Sequence, residues 1–160
     1  ESIQLAPMVE EIFTDLTPLA EKSGITLELT GDGVMTGSDA LIYRMIFNLT
    51  ENAIKYNRPD GSVQVCITQE PEKLLILVSD TGRGIPEEYQ QSIFQPFFRV
   101  DKSRSRTFGG AGLGLALVWE IAALHGGSVR VAESSDSGTT IAAELPRSGN
   151  HAADPKNEML

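Results

Sequence analysis

Apolar residues recur at helical spacing over residues 7–23, where Val9, Ile12, Phe13, Leu16, Leu19 and Ala20 share one face. Pro7 suits a first turn and Gly24 a stop, while Pro18 removes one backbone bond and predicts a kink. The period then changes to two. Ile25, Leu27 and Leu29 alternate with Thr26, Glu28 and Thr30, the pattern of a half-buried strand. Gly31-Asp32-Gly33 turns the chain toward a short strand near Val34-Met35. Ser38 or Asp39 caps a second helix running to about Tyr56, with Ile42, Met45, Ile46, Leu49 and Ala53 as its stripe. Val63, Val65 and Ile67 alternate as a strand, and Leu74 to Val78 is a buried strand ending at Asp80. Pro86 opens a short helix from Glu87 to Ile93. Leu115, Val118, Ile121, Ala122 and His125 mark a third long helix, closed by Gly126-Gly127. Val129 and Val131, then Ile141, Ala143 and Leu145, give two last strands around a Ser137-Gly138 turn. The fold class expected is α+β: a two-layer sandwich of about five strands in a mixed, mostly antiparallel sheet, with helices on one face. Regular βαβ alternation is missing, which argues against a doubly wound sheet.

Composition narrows the chemistry. The chain has 160 residues, 41% of them hydrophobic, enough for one domain with one core. A net charge of −9 argues against nucleic acid or an anionic membrane surface as the general partner. Against that background Arg99, Lys102, Arg104 and Arg106 form a local cationic island, either a solvated loop or a place for an anion. The single cysteine, Cys66, allows no internal disulfide, fits a reducing compartment and is expected to be a small buried apolar group. His125 and His151 are too few for a histidine-based zinc site. No apolar run reaches the roughly 20 residues needed to cross a bilayer. The polar tail from Arg147 to Leu160 is expected to be disordered.

Three stretches carry candidate chemistry. Asp80-Thr-Gly82-Arg-Gly84-Ile85 sets a carboxylate at a strand end before two glycines. It is either a tight turn or a cradle where a flat ligand approaches the backbone and its amine meets the carboxylate. Asn48, Asn52 and Lys55 stand four and three residues apart, on one face of the second helix. They are either a solvated face or amide oxygens for a hard cation, with an ammonium reaching toward phosphate. Residues 99–112 are basic, Gly-rich and aperiodic, the composition of a mobile lid, and Gly109 to Leu117 runs into a helix. A glycine-rich loop at a helix N-terminus is either a hinge or a phosphate cradle.

Taken in order, these stretches resemble the catalytic, ATP-binding domain of sensor histidine kinases. That domain shares the Bergerat fold with DNA gyrase B, Hsp90 and MutL. The segment Asn48 to Tyr56 resembles the N box, Asp80 to Ile85 the first glycine box, Phe94 to Asp101 the F box and Gly109 to Leu117 the second glycine box. Ser137-Gly138-Thr139-Thr140 resembles the closing G-T motif. The F-F-R-V-D of the F box favours the histidine kinase branch. Residues 6–146 would be the ATP-binding domain, 1–5 the end of a linker from a helical dimerisation domain, and 147–160 a tail.

The resemblance implies roles at matching positions. Asp80 accepts the adenine amino group, and Gly82, Gly84 and Ile85 let the backbone wrap the nucleotide. Asn52 is the Mg²⁺ ligand, assisted by Asn48. Lys55 and Arg99 contact phosphate, and Tyr56 and Thr139 line the pocket. Gly110, Gly112, Leu113 and Gly114 form the lid hinge and phosphate cradle. ATP and Mg²⁺ are the implied cofactors. The implied partners are a histidine-bearing dimerisation domain and a response regulator, in the cytoplasmic portion of a parent that could be membrane-anchored elsewhere. Neither His125 nor His151 matches the phosphoacceptor. Two other readings stand beside this one: a stand-alone ATPase or serine kinase of the same superfamily, and a non-catalytic nucleotide-binding module. Gyrase-like members carry a water-activating acid where Asn48 stands here, and an amide is a poor general base.

Overall fold

A computed structural model describes residues 1–95 and 115–148. Among these, strands β2 (Thr26–Gly31), β4 (Ser62–Gln69), β5 (Lys73–Asp80), β6 (Ser128–Ser135) and β7 (Gly138–Pro146) build one sheet in the order β2-β4-β5-β7-β6. Only β2 and β4 pair in parallel; the other neighbours are antiparallel. This is the expected mixed, mostly antiparallel sheet. The helices are α1 (Leu5–Lys22), α2 (Asp39–Lys55) and α3 (Ala116–Leu124).

The period-2 pattern decides which side the helices cover. Val63, Val65 and Ile67 of β4, Leu74, Ile76 and Val78 of β5, and Ala143 and Leu145 of β7 are all buried beneath the helices. Against them α2 lays Ile42, Met45, Ile46 and Leu49, none more than 1% exposed. Burying each such side chain contributes about 1.5–3 kcal/mol, far more than its helix propensity. Ser38 caps α2 as expected, its Oγ accepting from Leu41 N at 3.2 Å.

Several details depart from the sequence pattern. Residues 1–5, expected to be a linker end, are built into the domain. Ser2–Gln4 forms β1, paired antiparallel with β3 (Val34–Thr36), and Ile3 and Leu5 are buried. Helix α1 therefore begins before Pro7, and Asp32 Oδ1, accepting from Ala6 N at 3.0 Å, satisfies its first turn from the neighbouring β2–β3 turn. Pro18 stays inside α1 on its exposed side. Arg147 is likewise no tail residue: its N–H donates to Glu72 O at 2.9 Å and its carbonyl accepts from Thr36 N at 2.8 Å. The short helix after Pro86 is two separate 3₁₀ turns, Glu87–Tyr89 and Ser92–Phe94. Cys66 is only half-buried, because it alternates outward between the inward Val65 and Ile67. The rest of the F box, the 99–112 stretch and the tail beyond Ser148, His151 included, lie outside the described residues.

Candidate functional site

Strand register makes the site. Leu74, Ile76 and Val78 point inward along β5, and the next inward position is Asp80. On β7 the inward series runs Leu145, Ala143, Ile141, Thr139. Val78 pairs with Ile141 and Asp80 with Thr139, so the apolar ladder ends in a carboxylate beside a hydroxyl.

Backbone N–H groups hold that carboxylate still. Asp80 Oδ1 accepts from Gly82 N at 2.8 Å and from Thr139 N at 3.2 Å. Burial pushes the Asp80 carboxyl above its ordinary range, and the two N–H bonds oppose this only in part.

The loop after Asp80 fits only because two of its residues lack Cβ. A Cβ on Gly82 would stand 2.3 Å from Tyr56 O. Gly84 has φ +86°, and a Cβ there would stand 2.2 Å from Ser135 O. Side chains outside the motifs tether the same loop. Ile85 N donates to Ser134 Oγ at 2.8 Å, and Ser134 Oγ lies 2.8 Å from Thr139 Oγ1. Thr81 Oγ1 donates to Asn57 Oδ1 at 2.8 Å and accepts from Ser62 N at 3.0 Å. The Arg58 guanidinium donates to Asp136 O and reaches Gly82 O at 3.4 Å. Sequence reasoning missed Asn57, Arg58 and Ser134. Only Asn57 carried a signal, as the residue directly after Tyr56.

Above Asp80 lies a cleft open to solvent. Of the predicted residues, Asn52 and Tyr56 line it from α2, Asp80, Gly84 and Ile85 from β5 and its loop, and Thr139 from β7. Leu49, Ala53, Val78, Ile141 and Leu115 supply apolar wall, and Arg83 also lines it. The chemistry suits a flat heterocycle: apolar faces with one polar edge at Asp80. The Tyr56 phenol is pushed up to about 12 by burial and, second, by the Glu51 charge, so it is a hydroxyl donor at neutral pH.

Other predicted residues stand apart from that cleft. Asn48 is half-buried one turn before Asn52 and is not in the lining. Lys55 is exposed, 3.9 Å from Glu51 across one turn. Gly82 acts through its N–H on Asp80. Arg99, Lys102, Arg104, Arg106, Gly110, Gly112, Leu113 and Gly114 lie outside the described residues. No helix among the described residues is long and apolar enough to cross a membrane.

Comparison with known proteins places the fold in a family. The family model for histidine kinase-, DNA gyrase B- and HSP90-like ATPases matches residues 37–149. The sensor histidine kinase RppB of Synechocystis sp. is 34% identical over 145 residues, 89% of this chain and 32% of that protein. The sensor-like histidine kinase SenX3 of Mycolicibacterium smegmatis is 35% identical over 149 residues, 91% of this chain and 38% of that protein. The chain thus spans about a third of the length of these curated relatives. Among solved structures, the catalytic domain of histidine kinase ThkA superposes with TM-score 0.79 at 25% identity, covering 92% of this chain and 99% of that one. The mycobacterial sensor histidine kinase MprB gives TM-score 0.79 at 27% identity, covering 93% and 98%. A cleft ending in a half-buried carboxylate, on a sheet of this order and within this family match, identifies the chain as a member of the histidine kinase-, DNA gyrase B- and HSP90-like ATPases, an ATP-binding catalytic domain of the sensor histidine kinase type.

Proposed function

We propose that this domain binds ATP with Mg²⁺ and passes the γ-phosphoryl to a histidine on a separate helical dimerisation domain, for relay to a response regulator. The observation that carries the reading is convergence: residues from the N box, the first glycine box and the G-T motif, 87 positions apart between Asn52 and Thr139, meet around one cleft. Asp80 accepts the adenine amine. Guanine would turn a carbonyl oxygen toward that carboxylate, and two acceptors repel. The two N–H bonds to Oδ1 keep the carboxylate aimed, so little ordering is left for the ligand to supply.

The donor set suits magnesium. No group of three or more His, Cys, Asp or Glu suited to a metal occurs among the described residues, and Mg²⁺ in nucleotide sites needs only one or two protein oxygens beside phosphate and water. The Asn52 amide, with Asn48 assisting, would hold it, and the ion would neutralise charge on the phosphates. Lys55 and Arg99 would contact the phosphates, with Gly110, Gly112, Leu113 and Gly114 as the hinge and cradle. In the transfer a bond from phosphorus to the bridging oxygen breaks, one to an imidazole nitrogen forms, and ADP leaves. A complex of ThkA with response regulator TrrA supports a regulator as the downstream partner class.

The test mixes the chain with radiolabelled ATP, Mg²⁺ and a histidine-bearing helical domain from its parent protein. Label on the helical domain that is lost in acid and kept in alkali is expected. Acid-stable label would favour a serine kinase, and phosphate release without acceptor a hydrolase. Asn52→Ala should abolish the Mg²⁺ dependence of ATP binding; equal Mg²⁺ sensitivity would reject the metal role.

A further inference from the structure

His125 is a buried polar residue that none of the site chemistry uses. It follows α3 as its C-cap and is 6% exposed. Its Nδ1 lies 2.9 Å from Ile121 O, and its Nε2 accepts from Ser38 N at 3.1 Å. A carbonyl can only accept and a backbone N–H can only donate. The ring is therefore neutral, with its proton on Nδ1.

The two partners belong to different helices. Ile121 sits in the last turn of α3, and Ser38 is the N-cap of α2. The turn into α2 rests on the ring itself: a Cβ on Gly37 would stand 2.7 Å from His125 Cδ2 and 2.9 Å from Nε2. The opposite ends of these helices flank the nucleotide cleft. Asn52 and Tyr56 line it from the end of α2, and Leu115, the N-cap of α3, lines it from the start of α3. At 1.5 Å per residue, Asn52 is about 21 Å along α2 from Ser38, and Leu115 about 15 Å along α3 from His125. Helices move as stiff rods, so a shift at the His125 end changes the gap at the cleft end.

We propose that His125 is a positioning residue for nucleotide binding: as the Nδ1–H tautomer it pins the start of α2 to the end of α3 and so sets the spacing of two cleft walls. The proposal rests on the reading of the cleft as the ATP site. A side chain at this position must do two things, donate toward Ile121 O and reach Ser38 N–H as an acceptor. Gln can do both with its amide. Asn keeps a donor near Ile121 and is too short to reach Ser38. Phe keeps the ring volume and does neither.

Three variants of the 160-residue chain, His125→Gln, His125→Asn and His125→Phe, separate this from a packing role. Calorimetric ATP titration is expected to leave Gln within about twofold of wild type, to weaken Asn about fivefold, the equivalent of one lost hydrogen bond, and to weaken Phe, which loses both, further. Long-range ¹H–¹⁵N spectra of the wild-type chain are expected to give a protonated Nδ1 and a bare Nε2. An Nε2–H or doubly protonated ring overturns the proposal, as does an Asn variant that binds like wild type. A Gln variant as weak as Phe overturns it too. If Phe fails to fold, the Gln–Asn pair and the spectra decide. Failure of wild-type chain to bind ATP overturns the ATP reading instead, and the ring spectra still test the pin.

Discussion

Asp80 and Thr139 stand opposite one another on adjacent antiparallel strands, and the Thr139 backbone N–H donates to Asp80 Oδ1 at 3.2 Å. The strand pairing that builds the sheet thus also aims the carboxylate. Ionised Asp80 is costly to the empty domain, since burial raises its pKa above the ordinary 3.8. A raised folded-state value means the stabilisation is complete below 3.8 and is lost as pH rises through the folded value. Asp80→Asn should therefore make the empty domain more stable at pH 7, with the gain disappearing in acid, while ATP affinity falls. Losing a hydrogen bond to a charged acceptor costs about 1.5–3 kcal/mol, on the order of ten- to a hundredfold in affinity. Urea unfolding across pH and ATP titration check the two halves. Unchanged affinity rejects the adenine role.

Ser134 touches the site only through others, accepting from Ile85 N while lying 2.8 Å from Thr139 Oγ1. Ser134→Ala should release the Ile85 amide. The expected outcome is faster hydrogen exchange at Ile85, about 1 kcal/mol lower stability and weaker ATP binding. Ser134→Thr keeps the hydroxyl and should restore the protection. Wild-type exchange at Ile85 in the Ala variant would mean the loop holds itself.

Gly84 combines φ +86° with a neighbouring carbonyl that any Cβ would meet at 2.2 Å. Gly84→Ala should destabilise by about 1–3 kcal/mol from backbone strain alone, and the clash with Ser135 O should push the loop off β6. Chemical denaturation and ATP titration should fall together. A folded variant of wild-type stability and affinity would show that β6 yields at that point.

How much was legible follows from range. Asp80 was readable because a continuous apolar run, Leu74 to Val78, precedes it, and Asn52 because helical spacing sets it on one face with Asn48 and Lys55, whereas Tyr56 came only from the family resemblance. The alternation of Val63, Val65 and Ile67 would have turned Cys66 outward, yet the general tendency of cysteine to be buried outweighed it. Strand β1 was not readable: it has three residues, one of them buried, and it exists only because Val34–Thr36 pairs with it. Arg147 was hidden for a like reason, since its partners Thr36 and Glu72 are more than 70 residues away. The helical spacing of His125 was visible, but nothing in that spacing indicates that its ring meets Ser38, 87 residues earlier. Local periods record which face is buried; contacts between distant polar groups leave no period.

The alkaline behaviour of Tyr56 tests the depth of the cleft. Its phenol is pushed from 10.0 to about 12, first by burial and then by Glu51. Tyr43 is also raised to about 12, by burial and by its hydrogen bond to the Asp15 carboxylate. Two phenols should thus resist ionisation until about pH 12 in ultraviolet titration, and Tyr56→Phe and Tyr43→Phe should each remove one. The sign for stability is the raised case: the contribution is complete below pH 10 and is lost as pH rises through about 12. Tyr56→Phe should flatten the loss of stability in that window. Glu51→Gln should lower the Tyr56 midpoint only slightly, because burial is the larger cause. A Tyr56 midpoint near 10 would mean that water reaches the phenol freely and that the cleft wall formed by α2 is open.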